Sequence, residues 1–360
     1  MKDQKEKGSP VRIGITVGDI NGVGPETVLK VLSDNRLFSN ATPIIYGSNS
    51  LIKFMKSHMD LNQFNFNGIK VTDEAKPRKV NCLNLWEEDI EPEFGQATKK
   101  SGELALKSLQ AAVSDLASNK IDVLVTSPIN KDTIQSDEFD FPGHTEYLAS
   151  MSNVEDYLMF LVADDLRVGV VTGHIALKDV ATNLTSDKII SKLKLMTDSL
   201  SKDFGISIPK IAVLGLNPHA GDNGLLGEEE KSIILPAIRE AQDAGLYVYG
   251  PFGADGFFGS PAYKDFDAIL AMYHDQGLTP FKAMAFDRGV NFTAGLPIVR
   301  TSPDHGTGYD IAGKGAASPD SLRNAIFTAI DVYNNRRDYK VLTANPLEIK
   351  PKKTRAEAES

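Results

Sequence analysis

Phe266-Asp-Ala-Ile-Leu-Ala-Met-Tyr-His274 is an apolar run of strand length that ends on a histidine. Arg167-Val-Gly-Val-Val-Thr-Gly-His174 and Lys210-Ile-Ala-Val-Leu-Gly-Leu-Asn-Pro-His219 repeat the arrangement. Each places an imidazole at the carboxyl end of a strand, and in an open α/β sheet the crevice beyond those ends is where ligands bind. Three strands can therefore deliver His174, His219 and His274 to one point although they are far apart in sequence. Three neutral imidazoles and an open position make a catalytic metal site. One strand-end histidine reads more simply as a hydrogen-bonding loop residue; three in register predict a shared ligand. No H-E-x-x-H or C-x-x-C spacing adds to this locally.

Working outward, strand-like runs alternate with segments of helical period, which predicts parallel βαβ units and an α/β fold. Arg12 to Val17 reads as a strand, followed by the turn Gly18 to Gly24 and a helix starting at Pro25-Glu26. Ser101 to Lys120 carries its leucines on one face and feeds a strand over Ile121 to Thr126. Further helices are expected at Ser186 to Ser201, Gly227 to Ala244 and Ser318 to Asn335. No Gly/Ser-rich or Pro-rich spacer divides the chain.

The 360 residues suffice for two domains with sizeable cores or for one large α/β domain with insertions. The formal net charge is -9 and the basic residues are scattered, which argues against nucleic acid or an anionic membrane as a partner. A small molecule is the expected ligand. Cys82 is the only cysteine, excluding an intramolecular disulfide, and no apolar stretch is long enough to span a bilayer. Residues 1–10 are polar with no apolar h-region, so a floppy tail and a cytoplasmic location are expected. Pro346 to Ser360 is charged and apolar-poor and is expected to fray.

The chemistry concentrates between Tyr273 and Pro319. Lys282, Asn291 and Arg300 recur at nine-residue intervals, combining a point charge, a neutral donor and a planar fork that suit a phosphate or carboxylate. In Pro142-Gly-His-Thr-Glu-Tyr147, Thr145 can cap a helix whose free N–H groups face an anion. Gly308-Tyr-Asp-Ile-Ala-Gly-Lys314 imitates the start of a P-loop, but Gly315 stands where the magnesium-binding Ser or Thr belongs, which excludes an ATPase of that type. No G-x-G-x-x-G follows a strand, so a Rossmann dehydrogenase is not expected.

Val17-Gly-Asp-Ile-Asn-Gly-Val-Gly-Pro-Glu26, Ser127-Pro-Ile-Asn-Lys131, Gly143-His-Thr-Glu146, Thr172-Gly-His174, Leu216-Asn-Pro-His-Ala-Gly221, Tyr273-His-Asp-Gln-Gly277 and the block from Lys282 to Gly315 together resemble the 4-hydroxythreonine-4-phosphate dehydrogenase family of vitamin B6 biosynthesis. The match runs from about Arg12 to Asn335. Ile20, where proline is common in that family, and Gly256, where threonine is, depart from the pattern. His305 to Gly315 also resembles the adenosine-binding loop of isocitrate and isopropylmalate dehydrogenases, which bind NAD(P) without a Rossmann fingerprint.

The resemblance implies two α/β/α domains with the active site in the cleft between them. Residues 11–135 with 300–345 form the probable cofactor side in this division, and 136–299 the metal, substrate and dimerisation domain. It implies NAD or NADP at His305, Gly306, Asp310 and Gly313, and one divalent metal (zinc, magnesium, cobalt, manganese or nickel) on His174, His219 and His274. Substrate contacts are implied for His144, Thr145, Lys282, Asn291 and Arg300. The implied reaction oxidises 4-phosphooxy-L-threonine to 2-amino-3-oxo-4-phosphooxybutanoate, which decarboxylates to 3-amino-2-oxopropyl phosphate. Asp255, Asp275 and Lys282 are candidates for the general base, as is a metal-bound hydroxide. The family also implies a homodimer with a shared site, His174 and His219 coming from one chain and His274 from its partner. Rival readings are a threonate or erythronate 4-phosphate dehydrogenase, and a metal-dependent hydrolase that leaves the His305 to Gly315 loop without a task. An acyl-phosphate transferase of similar fold needs no metal and gives the histidines no shared role.

Overall fold

The computed structural model describes residues 9–346 apart from 35, 37 and 38. The expected tails at 1–10 and 346–360 therefore fall, except for residues 9, 10 and 346, outside the described residues. In chain order the first half holds β1 (Val11–Thr16), α1 (Gly24–Leu32), β2 (Ala41–Gly47), α2 (Asn49–His58), β3 (Asn67–Ile69), β4 (Asn81–Asn84), α3 (Lys99–Ala117) and β5 (Val123–Val125). Then come α4 (His144–Met151), β6 (Leu158–Ala163), β7 (Leu166–Thr172), α5 (Val180–Asn183), α6 (Ser186–Lys202), β8 (Lys210–Leu214) and α7 (Leu235–Asp243). The chain continues through β9 (Tyr247–Phe252), α8 (Ala254–Phe258), β10 (Ala268–Tyr273), α9 (His274–Ala285), β11 (Val290–Ala294), β12 (Arg300–Pro303) and α10 (Asp320–Leu342).

The twelve strands of the described residues lie in one sheet, in the order β3-β4-β2-β1-β5-β12-β11-β6-β7-β10-β8-β9. β3 through β12 pair in parallel, and so do β7, β10, β8 and β9. Between these sets β12–β11, β11–β6 and β6–β7 pair antiparallel. The two parallel halves consequently run in opposite directions. The sequence reading anticipated parallel units only; the antiparallel joint comes from the tight β6–β7 hairpin at Asp164-Asp165, where Asp164 adopts a left-handed φ of 50°. The expected division at 299/300 falls between β11 and β12, a hydrogen-bonded strand pair and not a linker.

Strands such as β1, β2 and β10 are apolar almost throughout because helices cover both faces of the sheet. α1, α2, α6, α7 and α10 pack over one face, while α3 and α4, with α8 and α9 further along, cover the other. Local signals set the helix starts: Ser48 accepts from Leu51 N ahead of α2, Thr98 from Ser101 N ahead of α3, and Thr185 from Lys188 N ahead of α6. The helix expected from Gly227 begins instead at Glu230 with a π-turn, and the one expected to stop at Asn335 continues to Leu342.

The added length of α10 has a specific anchor. Arg336 Nε donates to the buried Asp203 carboxylate at 2.6 Å, and its Nη1 reaches the carbonyls of Pro297 and Ile298. Asn335 donates to the Asp203 carbonyl at 2.8 Å. Arg336→Met leaves a buried carboxylate without its cation and should cost roughly 3 kcal/mol. Urea unfolding measures this, and an unchanged midpoint would show that the pair contributes nothing.

Candidate active site

The joint between the halves is the floor of a cleft. Leu161, Asn291 and Ser302 stand opposite one another on β6, β11 and β12, so their side chains share one face of the sheet, and Arg300 lies two residues before Ser302 on that same face. The walls are loops: Thr126 and Ser127 follow β5, His144 and Thr145 open α4, His174 lies two residues past β7, and His274 is the first residue of α9. With Lys282, Asp304, His305 and Gly306 these line a cavity of about 280 Å³. All five residues expected to bind substrate (His144, Thr145, Lys282, Asn291 and Arg300) are on its surface.

Arg300 dominates the electrostatics. Its residue is 3% exposed, yet among the described residues no carboxylate pairs with it. The guanidinium donates instead to the Thr126 hydroxyl, from Nε at 3.1 Å and Nη2 at 2.8 Å, and to Thr145 Oγ1 at 3.4 Å. Burial lowers its pKa to about 10, partly offset by Glu146, so it stays charged at neutral pH. His144 beside it is pushed well below the ordinary histidine range, first by burial and then by the Arg300 and Lys131 charges, so its ring is neutral. Burial also raises the Asp304 carboxyl against the pull of Lys282, whose Nζ is 3.4 Å from Asp304 Oδ1. Ser127 Oγ, His144 Nε2, Asn291 Oδ1 and His305 Nε2 are buried without a hydrogen-bond partner. Four unsatisfied groups around one cavity are a large number for a native structure, and a ligand carrying acceptor oxygens together with a hydroxyl or ammonium donor would satisfy them.

The histidine triad is assembled only in part. β7, β10 and β8 are adjacent and parallel, as its convergence requires. The rings of His174 and His274 are 5.5 Å apart and both line the cleft. Asp275 holds His274 Nδ1 at 2.7 Å, which leaves Nε2 free, and the Glu146 carboxylate, 3.9 Å from His174 Nδ1, is held low by that neighbour. His219 does not join them. β8 ends at Leu214, and Glu230 then captures the N–H groups of Leu216 and Asn217 at 2.7 Å each. From His219 to Asn223 five consecutive residues are left-handed, in an exposed loop outside the cleft. Among the described residues no group of three or more His, Cys, Asp or Glu side chains could hold a metal ion. Two imidazoles thus fit a metal, and the third donor is missing within one chain.

Of the three general-base candidates, only Lys282 lines the cleft. Asp275 is exposed and turned to His274; Asp255, on α8, neighbours His219, since a Cβ on Gly253 would meet Asp255 Oδ1 and His219 Cα at 3.5 Å each. Among the cofactor candidates, His305 and Gly306 reach the cleft while Asp310 and Gly313 sit further along the same loop. That loop is docked on the first one: Val23 N donates to the Thr307 carbonyl at 2.8 Å, and the Tyr309 hydroxyl to buried Asp19 at 2.7 Å. A side chain at Gly22 would lie 2.6 Å from the Thr307 carbonyl oxygen, so glycine is required there. Thr145 is not the cap of α4; extended Gly143 is, and Thr145 instead receives Arg300. The sequence reading missed Thr126, Glu146 and Asp304 as site residues. The motifs around them were visible, but nothing in the local sequence distinguishes a hydroxyl or carboxylate that will be buried beside a cation.

Fold and cleft define an α/β enzyme with a site for a small anionic substrate. The chain matches the family described as pyridoxal phosphate biosynthetic protein PdxA over residues 39–329. It is 51% identical to a 4-hydroxythreonine-4-phosphate dehydrogenase of Bacteroides thetaiotaomicron, over 94% of this chain and 93% of that one. A protein of Oceanobacillus iheyensis, provisionally named D-threonate 4-phosphate dehydrogenase, is 40% identical over 89% of this chain and 97% of its own length. The crystal structure of a 4-hydroxythreonine-4-phosphate dehydrogenase from Klebsiella pneumoniae superposes with a TM-score of 0.77 at 33% identity, covering 91% of this chain and 99% of that one. The chain belongs to the PdxA family.

An uncompensated buried cation costs stability that a ligand returns. Arg300→Met should leave the ligand-free protein as stable as the parent or more so, by about 1 kcal/mol, while removing its stabilisation by inorganic phosphate. Melting curves with and without phosphate test both halves, and retained phosphate stabilisation would show that the anion sits elsewhere.

Proposed function

We propose that the chain is an NAD(P)- and divalent-metal-dependent dehydrogenase that oxidises 4-phosphooxy-L-threonine at C3. Its product, 2-amino-3-oxo-4-phosphooxybutanoate, loses carbon dioxide to give 3-amino-2-oxopropyl phosphate on the route to pyridoxal 5'-phosphate. The family membership supports the reaction class, and the observation that carries the substrate class is the unpaired Arg300 guanidinium among four unsatisfied buried polar groups. Arg300 and Lys282 hold the phosphate, with Thr145, Asn291 and neutral His144 as short-range partners, and this fixes the reacting carbon at a distance from the anion. His174 and His274, with His219 as third ligand, hold the metal. When bound, the metal lowers the pKa of the substrate hydroxyl and the nicotinamide accepts the hydride. Asp275 keeps the His274 ring in the orientation that frees Nε2. Lys282, 3.4 Å from Asp304 Oδ1, is oriented by that carboxylate toward the phosphate. The cofactor lies along His305 to Gly315.

His219, with Asp255 beside it, reaches the site from a second copy of the chain. The expected division placed His174 with His219 and left His274 to the partner; the approach of His174 to His274 within one chain favours instead a division in which His219 is the partner's contribution. The loops after His174 and His219 both expose apolar side chains, Ile175 and Leu177 on one and Leu225 and Leu226 on the other, as a surface covered by a second subunit would.

Three measurements test this reading. NADH formation should occur with 4-phosphooxy-L-threonine, stop on chelation and return with added metal; a stronger response to D-threonate 4-phosphate, the substrate in the name of the Oceanobacillus relative, would move the assignment to that acid. Replacing His174, His219 or His274 with Ala should each lower metal content and nearly abolish turnover, and full activity with stoichiometric metal in any of them would remove that residue from the site. Co-refolding inactive His219→Ala with inactive His174→Ala should restore roughly a quarter of the parent activity, because half the dimers are mixed and one of their two sites is intact. His174→Ala mixed with His274→Ala should stay inactive, and the reverse pattern would restore the other division.

A further inference from the structure

The glycine-rich loop has an anchor outside the cleft to which neither the reaction nor the metal site gives a role. Gly313 is left-handed at φ 72°, and Phe94 lies directly against it: a Cβ there would be 2.5 Å from the ring. His58, the last residue of α2, brings its Nε2 to 2.7 Å from the Gly313 carbonyl oxygen. Its ring stacks on Phe54 at 5.8 Å and leans against Phe94 at 4.9 Å, and the two phenylalanines meet at 6.3 Å to close a three-ring cluster. Further along, Lys30 Nζ donates to the Gly315 and Ala317 carbonyls at 2.8 and 2.7 Å, and Glu26 accepts from Ala317 N at 3.0 Å. The loop is therefore fastened at both ends, by Val23 and Asp19 near the cleft and by α1 and α2 at its far turn.

The fastening at Gly313 has features of a positioning device more than of a fold element. His58 is exposed, so its imidazole adds little to the core, yet its hydrogen bond goes to a carbonyl at a turn of the loop where glycine is sterically required. A loop that binds a dinucleotide through backbone groups gains affinity when its conformation is set beforehand, because less chain entropy is lost on binding. We infer that His58 and Phe94 are positioning residues that hold the Gly313 turn in the conformation that receives the nicotinamide dinucleotide. The inference rests on the proposal above that this loop binds the cofactor.

The test is a fluorescence titration of the purified full chain with NADH and with NADPH, alongside melting curves. His58→Ala should weaken binding of the preferred nucleotide roughly three- to tenfold, as expected for the loss of one neutral hydrogen bond. Phe94→Leu, which takes the flat ring off Gly313, should weaken it by a similar factor. His58→Gln, whose amide can donate to the same carbonyl, should recover most of the loss, and phosphate stabilisation at Arg300 should not move in any of the three. Melting temperatures should stay close to the parent's for both His58 variants. If His58→Ala and Phe94→Leu bind the nucleotide as the parent does, the inference is overturned, whether or not their melting temperatures fall. If the parent itself binds neither NADH nor NADPH, the cofactor assignment of the loop fails and the positioning role fails with it.

Discussion

Two sets of parallel strands that run in opposite directions can share one sheet only through an antiparallel seam, and here β6 and β11 form it. Most of what the site contains follows from that geometry. On the face that carries Leu161, Asn291 and Ser302 the seam is the floor of the cleft between the two halves. Asn291, Ser302 and Arg300 project from it by strand alternation alone. The loops that follow β5 on one side and β7 and β10 on the other supply the walls. A cleft at such a junction is built from both halves, and any movement of one half against the other changes its width.

The floor is electrostatically unfinished. Arg300 is buried with hydroxyls for company, His144 is neutral with a free nitrogen, and Asn291 and Ser127 each keep an unsatisfied oxygen. Two buried carboxylates away from the cleft are matched by donors: Asp203 has Arg336 and Ser199, and Glu230 accepts three N–H donors from Leu216 and Asn217. The contrast separates groups that hold the chain together from groups held ready for a guest. Substrate binding in such a place gains from desolvation already paid during folding.

The sequence made much of this legible, and its failures have identifiable causes. Strand-end histidines reveal themselves because an apolar run has a visible end, and β7, β10 and β8 did prove to be neighbours. What periodicity does not reveal is where a strand stops carrying the chain forward: β8 ends at Leu214, a distant carboxylate, Glu230, captures the N–H groups of Leu216 and Asn217, and His219 is carried out of line. The antiparallel seam was missed for a similar reason, since Asp164-Asp165 carries none of the glycine that usually marks a two-residue hairpin. Asp255 and Asp275 were legible as acid–base candidates because they sit in motifs; what the sequence does not give is their placement, one beside His219 and the other behind His274, away from the cleft of their own chain. Thr126 and Asp304 acquire their importance from Arg300 and Lys282, partners known only once the chain is folded.

The pairing of β5 with β12 also orders events at the ribosome. Thr126 meets Arg300 across 174 residues of chain, so the first five strands leave the exit tunnel with the β5 edge open and unpaired. Nothing in the intervening polypeptide closes it: β6 to β11 form their own half and end on the far side of the gap. Until β12 arrives, the short Val-Leu-Val strand keeps unpaired N–H and C=O groups along that edge. Closure of that edge and completion of the Arg300 pocket are one event, and it comes late in synthesis. The anion pocket is therefore complete only once the strand that closes the β5 edge has been made.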